Sequence, residues 1–235
     1  MNARQKILLT VFLSLTVVIL ILDNLCPGDK KISYVKFTTV FFLFMSAFFC
    51  RKRYREQVML YIAVFFSMIG DFFLSICNVN ILSMAGKAGV FGGMSFFLAY
   101  LALIAAFMKG HGAGKGGVLA SAPVLALAIP VFLMIQPYIR QELYWGVVIF
   151  TFVLGFMAWA AICTMFRGYY STGAARRLAL AGYLIMASDS GVALAQFNPA
   201  FAGHFTPWLE NIIWGTYVPA WTLVVVTIAG EDLLA

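Results

Sequence analysis

Eight long apolar runs, separated by short polar punctuation, make up almost the whole chain. They cover residues 7–25, 34–50, 57–77, 88–108, 117–135, 143–166, 178–197 and 210–230. A helix needs roughly 20 apolar residues to cross a bilayer, and each run reaches that length or nears it with a polar collar. Between the runs lie turn and charge signals: Pro27-Gly28-Asp29, Arg51-Lys52-Arg53-Tyr54-Arg55, the glycine-rich stretch 110–117 and Asn198-Pro199. The runs do not alternate in ten-residue segments, as the strands of a transmembrane barrel would. The pattern predicts an all-α polytopic membrane protein of eight transmembrane helices, forming one domain over residues 1–235.

Composition agrees. Of 235 residues, 63% are apolar and 11% charged, far from the even balance of a soluble domain. The net charge of +7 does not call for nucleic acid as a partner, because the basic residues sit in short loops where the positive-inside rule accounts for them. With the amino terminus in the cytoplasm, Arg4, Lys6, Arg51, Lys52, Arg53, Arg55, Lys109, Lys115, Arg167, Arg176 and Arg177 fall inside. Only Lys30, Lys31, Lys36, Lys87 and Arg140 fall outside, so both termini are expected to be cytoplasmic. The four cysteines, Cys26, Cys50, Cys77 and Cys163, lack metal-ligand spacing and read as small buried hydrophobes. Cys26 and Cys77 share a side of the membrane, which leaves a disulfide between them open.

The chemistry concentrates in a few charges. Among charged residues only Asp23, Lys36, Asp71, Asp189 and Glu210 fall within the runs. Asp23, Lys36 and Glu210 lie near helix ends, within snorkelling reach of the interface. Asp71 and Asp189 lie about two-thirds of the way along their helices, where a charge costs at least roughly 3 kcal/mol. Such residues face a bundle interior or a wet cavity. Both follow a small residue, Gly70 and Ser188, in helices four apart, which a 4+4 pseudo-repeat would generate.

Spacing extends each carboxyl into a polar face. Ser67, Asp71, Ser75 and Asn78 recur at α-helical intervals on the third helix, Ser188 and Ser190 flank Asp189, and Gln196 lies two turns on. On the last helix Glu210, Trp214, Tyr217 and Trp221 share a face. These residues are expected to line one cavity in the outer half of the bilayer. Two carboxyls in one low-dielectric site divide labour, one keeping its proton as an acid and the other staying ionised as a base. Acid-labile ethers and acetals suit that pair. No Gly-x-Ser-x-Gly elbow or phosphate-cradling loop is present. The two histidines, His111 and His204, fall in loops on opposite sides, so no His-rich metal site is expected and no cofactor is implied.

At these residues the chain resembles the lysoplasmalogenase (YhhN-like) family. Phe66-Ser67-Met68-Ile69-Gly70-Asp71-Phe72-Phe73-Leu74 is similar to that family's xSxxGDxxL segment, and Lys36-Phe37-Thr38-Thr39 to the Lys-Pro-Leu-Thr-Thr start of its second helix. Ala187-Ser188-Asp189-Ser190 resembles its Ser-Asp-Ser motif, and Gly215-Thr216-Tyr217 its Thr-Tyr. Tyr100 stands where the family's fourth helix usually carries a histidine, and Trp221 at or beside a usual glutamine. The resemblance implies hydrolysis of the vinyl ether bond of a lysoplasmalogen, with a lysophospholipid as substrate. Asp71 and Asp189 would then be the catalytic pair. Lys36 would meet the phosphate, and Tyr100, Glu210, Trp214 and Tyr217, with the serines and Asn78, would line the substrate site.

Two other classes are compatible with buried acids. One is a proton-coupled transporter, whose sites often sit at helix breaks; here Pro123 and Pro130 interrupt the fifth run and Pro219 the eighth, but neither Asp-bearing helix contains proline. The other is a non-catalytic lipid-binding protein. Tightly spaced helices with a basic inner side suggest a bacterial inner membrane, with the endoplasmic reticulum as the alternative and membrane lipid as the surrounding partner. The oligomeric state is left open.

Overall fold

The computed structural model describes residues 1–77, 87–110, 112, 114–201 and 206–235. Asn78, His111 and His204 lie outside the described residues. Among those described there are eight helices long and apolar enough to cross a membrane, and no strand. They are α1 (Ala3–Leu25), α2 (Lys30–Phe48), α3 (Arg55–Asp71), α4 (Lys87–Phe107), α5 (Lys115–Ile135), α6 (Gln141–Arg167), α7 (Thr172–Phe197) and α8 (Pro207–Ile228).

Local chemistry sets the helix boundaries. Asn2 caps α1 by accepting from Gln5 N at 2.8 Å, while Gln5 Oε1 accepts from Asn2 N at 2.9 Å, a reciprocal capping box. Asp29 caps α2 through Lys31 N at 2.9 Å. Pro207 opens α8, where a missing N–H costs nothing. The chain leaves α6 through Gly168 at φ 66°, a left-handed position that favours glycine.

The helices organise around α8, which packs against α1, α2, α3 and α7. Of its most apolar stretch 67% is buried, against 17% for α5, which packs mainly on α6 and α7 at the periphery. Where bilayer replaces water as solvent, helices associate through close packing of small residues. A Cβ on Gly182 would lie 2.3 Å from that of Ala161, drawing α7 onto α6, and one on Gly191 would lie 2.7 Å from Ile213, drawing α7 onto α8. The α5–α6 face forms an apolar groove of about 450 Å³, lined by Leu125, Ile129, Phe132, Phe152 and Phe156 among others, remote in sequence from both carboxyls.

Two expectations need correction. Pro123, Pro130 and Pro219 lie inside continuous helices and break none of them. The irregularity directly follows α3 instead, where Phe72–Cys77 forms a π-helical turn that extends the crossing segment to Arg55–Cys77. The α-helical spacing that aligned Ser75 and Asn78 with Asp71 therefore ends at Asp71, because each residue of a π turn hydrogen-bonds five positions on. All four cysteines are free, Cys26 exposed and Cys77 buried, so the disulfide left open above is not made.

Candidate active site

Four helices bring the two carboxyls together, and each is held by a tyrosine from another helix. Tyr217 of α8 donates its hydroxyl to Oδ2 of Asp71 on α3. Tyr100 of α4 donates to Oδ2 of Asp189 on α7. All four side chains lie within electrostatic reach of one another. Asp71, Tyr100 and Tyr217 are buried, while Asp189 keeps partial exposure. The two acids expected to share a site thus lie together in the interior of the bundle.

Phe96 braces the arrangement. Its ring centroid lies 6.2 Å from those of both Tyr100 and Tyr217, edge-on to the latter at 74°. Phe150 of α6 meets Tyr100 edge-on at 5.6 Å. Such pairs contribute about 0.5–1.5 kcal/mol beyond burial and fix ring planes, hence the hydroxyl directions. Phe96 reaches this position because residue 70 is glycine: a Cβ there would lie 2.6 Å from the Phe96 ring. The glycine of the Gly-Asp pair makes room for the ring that orients both tyrosines, and the π turn follows immediately. From sequence, Phe96 served only to align the fourth helix with the family's Phe-x-x-x-His pattern, and its bracing role went unread. The π turn was not singled out, and no signal announced it.

Toward the end of the bundle that carries the α1–α2 turn, a second cluster forms. Lys36 Nζ lies 2.9 Å from Asp23 Oδ2 and 3.2 Å from Glu210 Oε2, and 4.7 Å from the centre of the Trp214 ring. The Lys36 and Asp23 side chains keep 10% and 4% of their surface exposed, so these residues do not snorkel outward separately. They satisfy one another, because two carboxylates and an aromatic face replace the water that an ammonium loses on burial. Both carboxyls already engage the Lys36 ammonium, so the phosphate contact expected of Lys36 would compete with them. Asp23 is the residue sequence reading undervalued, and its signal was an opposite charge near the same helix ends. Trp214 joins the two clusters, with its ring 5.5 Å from Tyr217.

The remaining candidates lie around the pair with bonds of their own. Ser67 Oγ donates to Val64 O at 2.9 Å within its own helix, and Ser188 Oγ donates to Ile213 O at 3.1 Å across the α7–α8 contact. Both are fully buried, Ser190 is buried beside Asp189, and Gln196 is exposed. Among the described residues no three His, Cys, Asp or Glu side chains form a group that could hold a metal ion.

Fold and site together define a multi-pass helical membrane protein with a pair of tyrosine-held carboxyls in its interior. A sequence model of the YhhN family matches residues 32–228, and the chain belongs to that family, which includes lysoplasmalogenases. The matched stretch contains both carboxyls, both tyrosines, Lys36 and Glu210. No curated protein and no solved structure matches the chain.

Proposed function

We propose that this protein is a membrane-embedded hydrolase that cleaves the vinyl ether bond of lysoplasmalogens, giving a fatty aldehyde and a glycerophospho-alcohol. The observation that carries this reading is the pair of interior carboxyls, each with one oxygen held by a tyrosine. The second oxygen of each remains for substrate. One carboxyl, protonated, delivers its proton to the vinyl carbon, and the double-bond electrons leave an oxocarbenium ion at the carbon bearing oxygen. The other, ionised, stabilises that cation and takes a proton from the attacking water. The resulting hemiacetal collapses with a proton passing to the glycerol oxygen. Water is the only co-reactant. The apolar flank of α4 and the Trp214 ring hold the alkenyl chain that leaves as the aldehyde.

We place the protein in a bacterial inner membrane with both termini cytoplasmic, so that the site serves the outer leaflet. Family membership and the eight apolar helices support a multi-pass membrane setting, and the distribution of Lys and Arg supports the orientation. Aldehyde release from a lysoplasmalogen by purified protein in detergent tests the reaction. Wild type should release aldehyde, while Asp71→Asn and Asp189→Asn should each lose about 10²–10⁴-fold in rate, the usual size of a general acid–base contribution. Absence of aldehyde from the wild type, or full activity in either variant, overturns the reading.

A further inference from the structure

Trp221 lies one turn along α8 from Tyr217, with the two rings edge to face and 6.3 Å between their centroids. It is 1% exposed, and its indole nitrogen is buried with no hydrogen-bond partner among the described residues. Two other buried side-chain atoms share that state, and each has an explanation. Asp23 Oδ2 lies 2.9 Å from the Lys36 ammonium in the ion pair, and Thr206 adjoins residues outside the described ones. Trp221 has neither. Roughly 90% or more of buried polar groups in folded proteins find a partner, and a buried orphan points to a bound molecule. An indole N–H only donates, so the molecule presents an acceptor.

The neighbourhood narrows the choice. Val218, Val224 and Val225, three or four residues away on this helix, are fully buried and apolar, and the flanking Thr222 hydroxyl is spent on its own helix at Val218 O, so a neutral acceptor small enough to be enclosed suits the site. The adjacent Tyr217 hydroxyl donates to Asp71 and keeps its own acceptor lone pairs, so the Tyr217–Asp71 pair is the polar group one turn away with which a bound molecule can also hydrogen-bond. A water molecule fits both demands. It accepts from the indole and donates to a carboxyl, as buried waters with two to four polar partners do.

We propose that Trp221 Nε1 donates to a water molecule held inside the bundle beside the Tyr217–Asp71 pair, and that this water feeds the hydrolysis. The second clause rests on the hydrolase reading; the first does not. In the reaction, the water oxygen bonds to the oxocarbenium carbon and one of its protons passes to the ionised carboxyl. The indole N–H stays intact and acts by positioning. A reaction in the apolar interior of a membrane consumes one water per turnover, and a fixed donor keeps one in place.

Two measurements test this. Protein labelled with ¹⁵N at its tryptophan indoles, in detergent micelles, gives a resonance for Trp221 that is assigned by its disappearance in Trp221→Phe. That indole proton should show cross-relaxation to a long-lived water. Its absence overturns the water site whatever the aldehyde assay gives. If the contact is present but wild type releases no aldehyde, the site stands and the hydrolase reading falls. For the catalytic clause, Trp221→Phe keeps an aromatic ring and loses the donor, whereas Trp221→Gln keeps an N–H donor and loses the ring. Phe should be the more heat-stable and Gln the faster, by about tenfold in kcat with KM little changed. If rate follows stability, with Phe ahead of Gln, Trp221 only packs and the catalytic clause is overturned.

Discussion

The two ends of the bundle lean on polar side chains in different ways. At the end where both termini lie, several buried ones bind backbone, beside side-chain pairs such as the Tyr169 hydroxyl on Glu56 Oε1 at 2.9 Å and Arg177 Nε on Thr227 Oγ1 at 3.4 Å. Gln5 Nε2 donates to Val226 O at 2.8 Å, and Gln57 Nε2 donates to Ile228 O at 3.0 Å and Gly230 O at 2.8 Å. Arg167 Nη1 donates to Phe107 O and the Tyr170 hydroxyl to Ala106 O, both at 2.6 Å. These carbonyls lie in or just beyond the last turns of α4 and α8, where intrahelical partners run out. Burial pushes the Tyr170 pKa up, so its hydroxyl remains a donor at any pH the protein meets. In the other half, the charged and phenolic side chains bind one another: Lys36 with Asp23 and Glu210, Tyr100 with Asp189, Tyr217 with Asp71. A bond to a helix carbonyl is part of the scaffold and breaks only as the helix end unravels. A bond between two side chains can be exchanged for one to a substrate without moving a helix. The contrast therefore separates architecture from chemistry, and a transport path through the termini end would have to undo the architecture.

The largest effect that tests this division is loss of either carboxyl. Asp71→Asn or Asp189→Asn should cut aldehyde release about 10²–10⁴-fold, while the melting temperature in detergent stays near wild type, since an asparagine still accepts from the tyrosine. If melting collapses as well, the pair belongs to the scaffold and the contrast fails. The next effect lies at the opposite end and should have the opposite signature. Gln57 is fully buried, and besides its two donated bonds it accepts from Arg53 N at 2.7 Å and Tyr54 N at 3.2 Å. Gln57→Leu leaves buried donors and acceptors without partners, which should cost about 2–3 kcal/mol of stability. Thermal melting checks the loss, and turnover per folded molecule should be unchanged.

Much of this was legible in the chain. The eight spans follow from the length of the apolar runs, since the bilayer imposes a single length scale on every crossing segment. Asp71 and Asp189 stood out because a charge deep in a span is expensive wherever it occurs, so its position alone carries meaning. Their partners were another matter. Tyr100 and Asp189 are 89 residues apart, and Tyr217 and Asp71 are 146 apart. Which tyrosine meets which acid depends on how four helices are ordered and rotated, and hydrophobic periodicity is weak when a helix is apolar all round. The π turn after Asp71 has no proline to announce it. Asp23 looked able to reach water by itself, and only the packing of α1 against α2 and α8 shows that Lys36 is nearer than the interface.

A smaller effect sharpens the contrast within the site. Tyr217→Phe and Tyr100→Phe each remove one hydroxyl while keeping the ring that Phe96 packs against. A hydrogen bond to a charged group contributes about 1.5–3 kcal/mol, and each 1.36 kcal/mol is tenfold in rate, so aldehyde release should fall about 10–100-fold. Both variants should retain folding. A fall as large as that of Asp→Asn would mean that the tyrosine itself transfers the proton.

The smallest expected effect comes from an ion pair that resembles the site cluster on paper. Arg53 Nη2 lies 3.3 Å from Glu231 Oε1, nearly the separation of Lys36 from Glu210 at 3.2 Å. The surroundings differ: the Arg53 and Glu231 side chains keep 48% and 66% of their surface exposed, whereas Lys36 keeps 10%. In water the Coulomb gain is small, screened by salt and offset by the entropy of holding two long side chains together. Arg53→Ala should therefore shift stability by no more than about 0.5 kcal/mol and leave turnover unchanged, as thermal melting at low and high salt would read out. A large, salt-sensitive loss would mean that the termini end also relies on side-chain pairing, and the separation of scaffold from chemistry would not hold there.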